Sequence, residues 1–353
     1  MIPSKMQAAV YRGIDNIQIE EVEIPTIGPG EALVRLNSCG VCGTDLKKIH
    51  YGLVEPPRIF GHEMAGEIVA LGNGVLNWKL GDRVAVMHHV PCCECYYCSR
   101  RDYAQCPKYK ETGTTSGFVP AGGGFAQYIR VMDWVVRRGM VLLPQDATEE
   151  EAAFIEPLNT VLKGIERAKL RAGDTVLIAG QGQIGLLFTL ALKLRSHTVL
   201  TTDLMPHRRQ TSVHFGADAS FDPAHNVLAS ECKARTAGRG VDFAVVAVPG
   251  EEAVRQAMES VRPGSTVMLF AHTRLKDDIS VDAGAVCMLE KSLIGSYSSD
   301  IDLQDEAARL IFEREIDVRK LITHRFPLSQ TAEAIRLASS PTDGSLKVMV
   351  VHP

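Results

Sequence analysis

The sequence predicts an α/β protein of two domains, one β-rich and one a doubly wound parallel sheet. Residues 8–36 show short apolar–polar alternations broken by Pro25, Gly28, Pro29 and Gly30, the period and punctuation of strands and turns. From about Glu149 onward, strand-like runs alternate with helix-like ones. That rhythm calls for parallel strands covered by helices on both faces. A chain of 353 residues also exceeds what one hydrophobic core usually serves.

In the β-rich part, residues 34–36 and 67–70 are expected as strands, with Gly72-Asn73-Gly74 as a turn. Glu149-Glu150-Glu151 leads into a helical pattern. A strand at 175–179 is followed by a helix at 184–195 and a strand at 198–202. Strands at 241–248, 265–271 and 293–297 follow, the first two joined by a helix at 251–261. The C-terminal stretch ends with a helix at 328–338 and a strand at 346–351. The chain has no internal repeat and no low-complexity segment.

A net charge of −4 and the lack of a basic run argue against nucleic acid as a partner. Residues 1–10 lack the long apolar centre of a signal peptide. The most apolar helix-like stretch, 184–194, is shorter than the ~20 residues that span a bilayer. Nine cysteines without an export signal favour a reducing compartment, so the chain reads as cytoplasmic.

Cys92, Cys95, Cys98 and Cys106 follow one another at steps of three, three and eight. Such steps let a compact loop turn four sulfurs inward, as a closed structural zinc site requires. Cys93 beside them reads as a bystander. The alternatives are disulfides, which a reducing compartment disfavours, or small buried hydrophobes. A structural site does no chemistry, so function must come from elsewhere.

Gly180-Gln181-Gly182-Gln183-Ile184-Gly185 follows an apolar strand and opens an apolar helix. Gly180 permits the tight turn, Gly182 lets backbone approach a pyrophosphate, and Gly185 lets helix pack on strand. The N–H groups at Gln183 and Ile184 then face the phosphates. Asp203 ends the next strand, 23 residues after Gly180, where a carboxylate accepts ribose hydroxyls and repels a 2′-phosphate. NAD is therefore expected over NADP. Arg208 and Arg209 lie nearby and soften that preference, although each also reads as an ordinary solvated helix residue.

Cys42-Gly43-Thr44-Asp45, Gly61-His62-Glu63 and Ile155-Glu156-Pro157-Leu158 contain cysteine, histidine and carboxylates, the donor types of a catalytic zinc site. Each also has a bland reading as a core or surface residue, and spacing alone does not join them. Together with the cysteine quartet, Gly123-Gly124-Phe125-Ala126, the glycine fingerprint, Ile322-Thr323-His324 and Phe326-Pro327-Leu328, they run nearly end to end in one order. In that order the chain resembles the zinc-dependent medium-chain dehydrogenases, the family of alcohol, sorbitol and threonine dehydrogenases.

The resemblance implies a GroES-like catalytic domain from residues 1–155 and 298–353 and a Rossmann domain from 156–297. It implies a catalytic zinc on Cys42, His62 and Glu156, with Glu63 able to exchange onto the metal, and a structural zinc on the quartet. Thr44 would hydrogen-bond the substrate oxygen and Asp45 would orient His62. Residues 246–249, 270–273 and 295–298, Val248, Ala271 and Ser296 among them, would line the nicotinamide. Loops at 51–58, 116–119 and 297–300 would build the substrate pocket. The implied reaction is reversible oxidation of a secondary alcohol to a ketone by NAD, in a homodimer or homotetramer. The Glu156-Pro157-Leu158 motif leans to polyols, sugar alcohols or cyclitols. A threonine-type amino alcohol, or a relative that binds NAD and zinc without turnover, are the alternatives. A zinc-ribbon nucleic-acid binder is disfavoured by the acidic balance. Lys47 stands where relatives often have a proton-relaying histidine, with His50 as a possible substitute. Gln183 replaces a common proline and Cys93 a common glycine.

Overall fold

The N-terminal alternation becomes an antiparallel hairpin, β1 (Lys5–Gly13) with β2 (Asn16–Glu23). β3 (Ala32–Gly40) is almost wholly buried and pairs antiparallel with β4 (Glu63–Leu71). β5 (Arg83–Val86) joins β4, and β8 (Met140–Leu142) joins β5. β7 (Tyr128–Val131) lies on β3 and carries β6 (Thr114–Thr115). The computed structural model describes residues 2–118, 122–271, 278–342 and 344–352.

The chain divides into two units, Met1–Pro157 with Asp300–Pro353, and Leu158–Ser299. Glu149 begins a short helix, Glu149–Ala152, closed by a capping box between Thr148 and Glu151, each satisfying a backbone N–H of the first turn. In the second unit β9 (Thr175–Ala179), β10 (Thr198–Thr202), β11 (Ala219–Phe221), β12 (Val241–Val246), β13 (Val261–Leu269) and β14 (Ser292–Gly295) form a parallel sheet. Its order is β11-β10-β9-β12-β13-β14. The strand order reverses beside β9, and ligands of such sheets bind at the carboxyl ends of the strands flanking that point. The chain then returns to the first unit, where β15 (Ile322–Pro327) pairs parallel with β16 (Lys347–Val351), and β16 pairs antiparallel with β3.

β9 and β10 match the expected strands. The helix expected at 184–195 is Gln183–Leu194, and the final one is Thr331–Ser339 after a 3-10 turn. β13 starts four residues before the expected 265, running through Pro263 and Gly264, and a register shift against β12 absorbs the irregularity. Helices Pro206–His214 and Leu228–Ala234 and strand β11 were not expected. They are short and polar, so their apolar period is too weak to stand out. No helix among the described residues is long and apolar enough to cross a membrane.

Candidate metal and dinucleotide sites

β3 leads through Val41 to Cys42, which caps the helix Gly43–His50 in extended backbone with its Sγ 3.5 Å from the Thr44 nitrogen. Asp45, in the first turn, is buried, and its Oδ1 lies 3.1 Å from Nδ1 of His62. His62 follows Gly61, whose φ of 92° and tight fit against Cys39 and Gly124 leave no place for a side chain. Cys42, His62 and Glu63 each bring one donor atom within 4.8 Å of the others.

Burial opposes the charge on Asp45, yet His62 and Lys48 beside it hold its carboxyl below the usual range. Burial also works to strip the proton from His62, but Asp45 and Cys42 outweigh it and raise its pKa well above that of free histidine. Positive charge is therefore favoured at His62, between Asp45 and Cys42. A zinc ion fits that preference, since thiolate, imidazole and carboxylate are its donors in sites that keep an open position.

Two buried carboxylates, Glu63 and Glu156, are the candidates for a third donor. Glu63 is buried and forms an ion pair with Lys347, whose Nζ also donates to the Val41 carbonyl at 3.1 Å. A Cβ on Gly40 would collide with both partners. Glu156, in the helix Ile155–Ala168, stands outside the compact trio. Burial raises its carboxyl to about 7, against the pull of His62, with Glu63 adding to the rise and Lys347 opposing it. Among the described residues that carboxyl has no hydrogen bond or ion pair.

Sequence reasoning missed three residues here. Lys347 lies 284 positions from Glu63, and no local pattern announces it. The His88 ring is centred 4.6 Å from that of His62, and the His89 ring 4.0 Å from that of His88. His89 stacks on Tyr109, and its Nδ1 lies 3.2 Å from the Glu111 carbonyl oxygen. Burial pushes both histidines below the usual range, His89 to about 4. The His88-His89 doublet just ahead of the quartet was the available signal. His50, the candidate relay, is exposed and paired with Asp15 at 3.1 Å.

The quartet comes together as its spacing predicts. Sulfurs of Cys92 and Cys98 are 3.8 Å apart, Cys95 and Cys98 3.6 Å, and Cys106 and Cys92 3.5 Å. A tetrahedron with vertices ~2.3 Å from a zinc ion has edges of ~3.8 Å, so the four thiols fit one ion. They are too far apart for disulfides, and all nine cysteines are free. A backbone N–H at Glu94 lowers the Cys92 thiol to about 7, while burial pushes Cys98 up to about 12. Cys93 stands apart, exposed, at φ 65°.

In the second unit, Gly180 leaves β9 at φ 93°, and a side chain there would strike Val248. Gly182 caps the helix that Gln183 and Ile184 begin, and a side chain on Gly185 would strike the Gly180 carbonyl. Asp203 is buried at the end of β10. Its Oδ2 accepts from the Gln181 N–H and its Oδ1 from the Met205 N–H, both at 2.8 Å. Nη1 of Arg208 stands 3.9 Å from Asp203 and faces Gly182. Arg209 is pinned instead, to the Asp203 and Leu204 carbonyls and to Asp222. Val248 and Ala271 follow β12 and β13, and Ser296 follows β14, at the carboxyl edge of the sheet. Val119, His272 and Thr273 lie outside the described residues.

Residues 28–143 match the family described as alcohol dehydrogenase GroES-like domain, and residues 184–313 the one described as zinc-binding dehydrogenase. The chain is 32% identical to sorbitol dehydrogenase of Bacillus subtilis (strain 168), over 99% of this chain and 98% of that one. It is 29% identical to erythritol/L-threitol dehydrogenase of Mycolicibacterium smegmatis, over 99% and 98%. A zinc-binding dehydrogenase of Sinorhizobium meliloti 1021, solved with NADP bound, superposes with a TM-score of 0.88 at 28% identity, covering 99% of this chain and all of that one.

Proposed function

This chain belongs to the zinc-dependent medium-chain alcohol dehydrogenase family, and we propose that it oxidises a secondary hydroxyl of a polyol, sugar alcohol or cyclitol to a ketone, reversibly, with NAD as hydride acceptor. The trio Cys42, His62 and Glu63, with Asp45 bonded to His62, carries this reading. Relatives named for sorbitol and for erythritol or threitol support the polyol class.

Cys42, His62 and Glu156 would hold the zinc in this reading, with Glu63 able to exchange onto it. Among the described residues Glu156 is a buried acid with no hydrogen bond or ion pair, and Glu63 is the one inside the trio. Zinc held by such donors lowers the pKa of a bound hydroxyl by several units. Asp45 fixes the ring orientation of His62. The Thr44 hydroxyl takes the proton from the substrate hydroxyl and hands it outward. NAD, once bound, would supply the acceptor for the hydride of the substrate carbon, leaving the ketone. Gly180, Gly182 and Gly185, with the N–H groups of Gln183 and Ile184, hold the pyrophosphate, and Asp203 takes the ribose hydroxyls. Val248, Ala271 and Ser296 border the nicotinamide end. The quartet Cys92, Cys95, Cys98 and Cys106 holds a structural zinc.

We assign residues 1–155 and 298–353 to the catalytic domain and 156–297 to the cofactor domain. The half-exposed Leu293 and Ile294 on the edge strand β14 support a homodimer or homotetramer. Nine cysteines, none in a disulfide, favour the cytoplasm. The test is NADH formation on a panel of polyols, sugar alcohols, cyclitols, threonine and simple secondary alcohols, with zinc quantified in the same sample. Turnover on polyhydroxy substrates that stops on chelation is expected. Turnover that survives complete zinc removal would overturn the reading.

A further inference from the structure

We propose that the substrate of this enzyme carries a carboxylate at one end of its polyhydroxy chain, and that Lys48 binds it. The inference rests on the reading of the Cys42 site as a polyol dehydrogenase and narrows its substrate class to sugar acids.

Lys48 lies in the helix Gly43–His50, four residues beyond Thr44. Residues four apart on a helix stand one above the other, ~5–6 Å between Cβ atoms. Lys48 therefore shares a helix face with the hydroxyl proposed to meet the reacting oxygen. Its neighbours are spoken for, Asp45 by His62 and His50 by Asp15. Lys48 is half-buried, and among the described residues its ammonium has no hydrogen bond or ion pair. Its charge is felt at Asp45, His88 and His89. Asp45 is already matched by His62, so Lys48 is a surplus cation one helical turn from Thr44.

A partly desolvated ammonium without an acceptor is unfavourable, and an anion delivered by the ligand relieves it. One helical turn is ~5.4 Å, a span that sets the anionic group a few carbon atoms from the reacting carbon. The ring of His88, half-exposed and without a hydrogen-bond partner among the described residues, can donate to or accept from a hydroxyl on the same substrate. A single ammonium matches a carboxylate monoanion. A phosphate monoester carries about −1.5 to −2 at neutral pH and calls for a second cation. Lys110, the other lysine whose charge reaches His89, is engaged elsewhere.

The test compares gluconate, sorbitol and sorbitol 6-phosphate, with the matching galacto-configured trio, on zinc-loaded wild type and on Lys48→Met and Lys48→Arg. Both kcat/KM and calorimetric binding in the presence of NADH are read. The aldonate should bind best to wild type. Lys48→Met should weaken it about 10- to 100-fold, the loss of one charge-assisted contact, with Lys48→Arg restoring part and the neutral alditol changing far less. Equal effects of Lys48→Met on aldonate and alditol would overturn the inference, as would a Lys48-dependent preference for the phosphate ester. Absence of turnover on all six compounds despite Lys48-dependent aldonate binding would fault the dehydrogenase reading and leave the binding assignment standing.

Discussion

Lys347 and Glu63, 284 residues apart in sequence, form an ion pair in which both side chains are 1% exposed. The pair sits against the Cys42 and His62 site, because β16 brings Lys347 beside β3 and Glu63 begins β4. Two buried charges persist only when each meets the other, and removing one partner leaves the second stranded. Lys347→Met is therefore expected to cost about 3–5 kcal/mol of stability. The double variant with Glu63→Gln should recover much of that loss. Thermal or denaturant unfolding of the catalytic unit measures both, and a Lys347→Met protein as stable as the parent would refute the argument.

Competition between two carboxylates has its own signature. Glu63→Gln and Glu156→Gln should each weaken zinc binding at the catalytic site while leaving some zinc there. The double variant should retain only the structural ion. Zinc stoichiometry after graded chelation distinguishes this from a single-carboxylate site, in which one variant alone would empty the site and the other would change nothing.

Substituting Cys98 acts on a different ion. Its sulfur lies within 3.8 Å of those of Cys92 and Cys95, and the lobe's own core is small, mainly Tyr103, Ala104 and Tyr109. Cys98→Ala should release one zinc per chain and lower the unfolding temperature, because metal binding there is folding energy. Retention of two zinc ions at unchanged stability would count against the structural cage.

Acid sensitivity is expected from His352. Burial, opposed only weakly by the Gly124 backbone, lowers its pKa from 6.5 to about 4. The unfolded chain thus binds a proton that the folded chain refuses between those values. The contribution is full above pH ~6.5, declines as pH falls toward ~4, and amounts to about 3 kcal/mol at most. His352→Leu should flatten this acid limb, seen as a smaller difference in unfolding temperature between pH 7.5 and pH 5. An unchanged difference would place the acid sensitivity elsewhere.

Much of the site was legible because the relevant chemistry is local. The quartet lies within fifteen residues, and the glycine loop joins one strand to the next helix, so short spacing carries the geometry. The apolar runs of β9 and β10 were equally plain, being buried on both faces. Polar helices such as Pro206–His214 were not, since their apolar stripe is too thin to register.

By itself the sequence determined the strand–helix alternation of the second unit, the four-cysteine spacing and the glycine loop, because each depends on residues that are neighbours along the chain. Only the tertiary structure decided that Glu63 joins Cys42 and His62, that Lys347 holds Glu63, that the His88 ring lies against His62, and that Arg209 is pinned while Arg208 faces the glycine loop. The first two depend on strand pairing between distant segments, β16 against β3 and β3 against β4. Register between such strands is set by the whole buried face of the sheet, which no local spacing encodes.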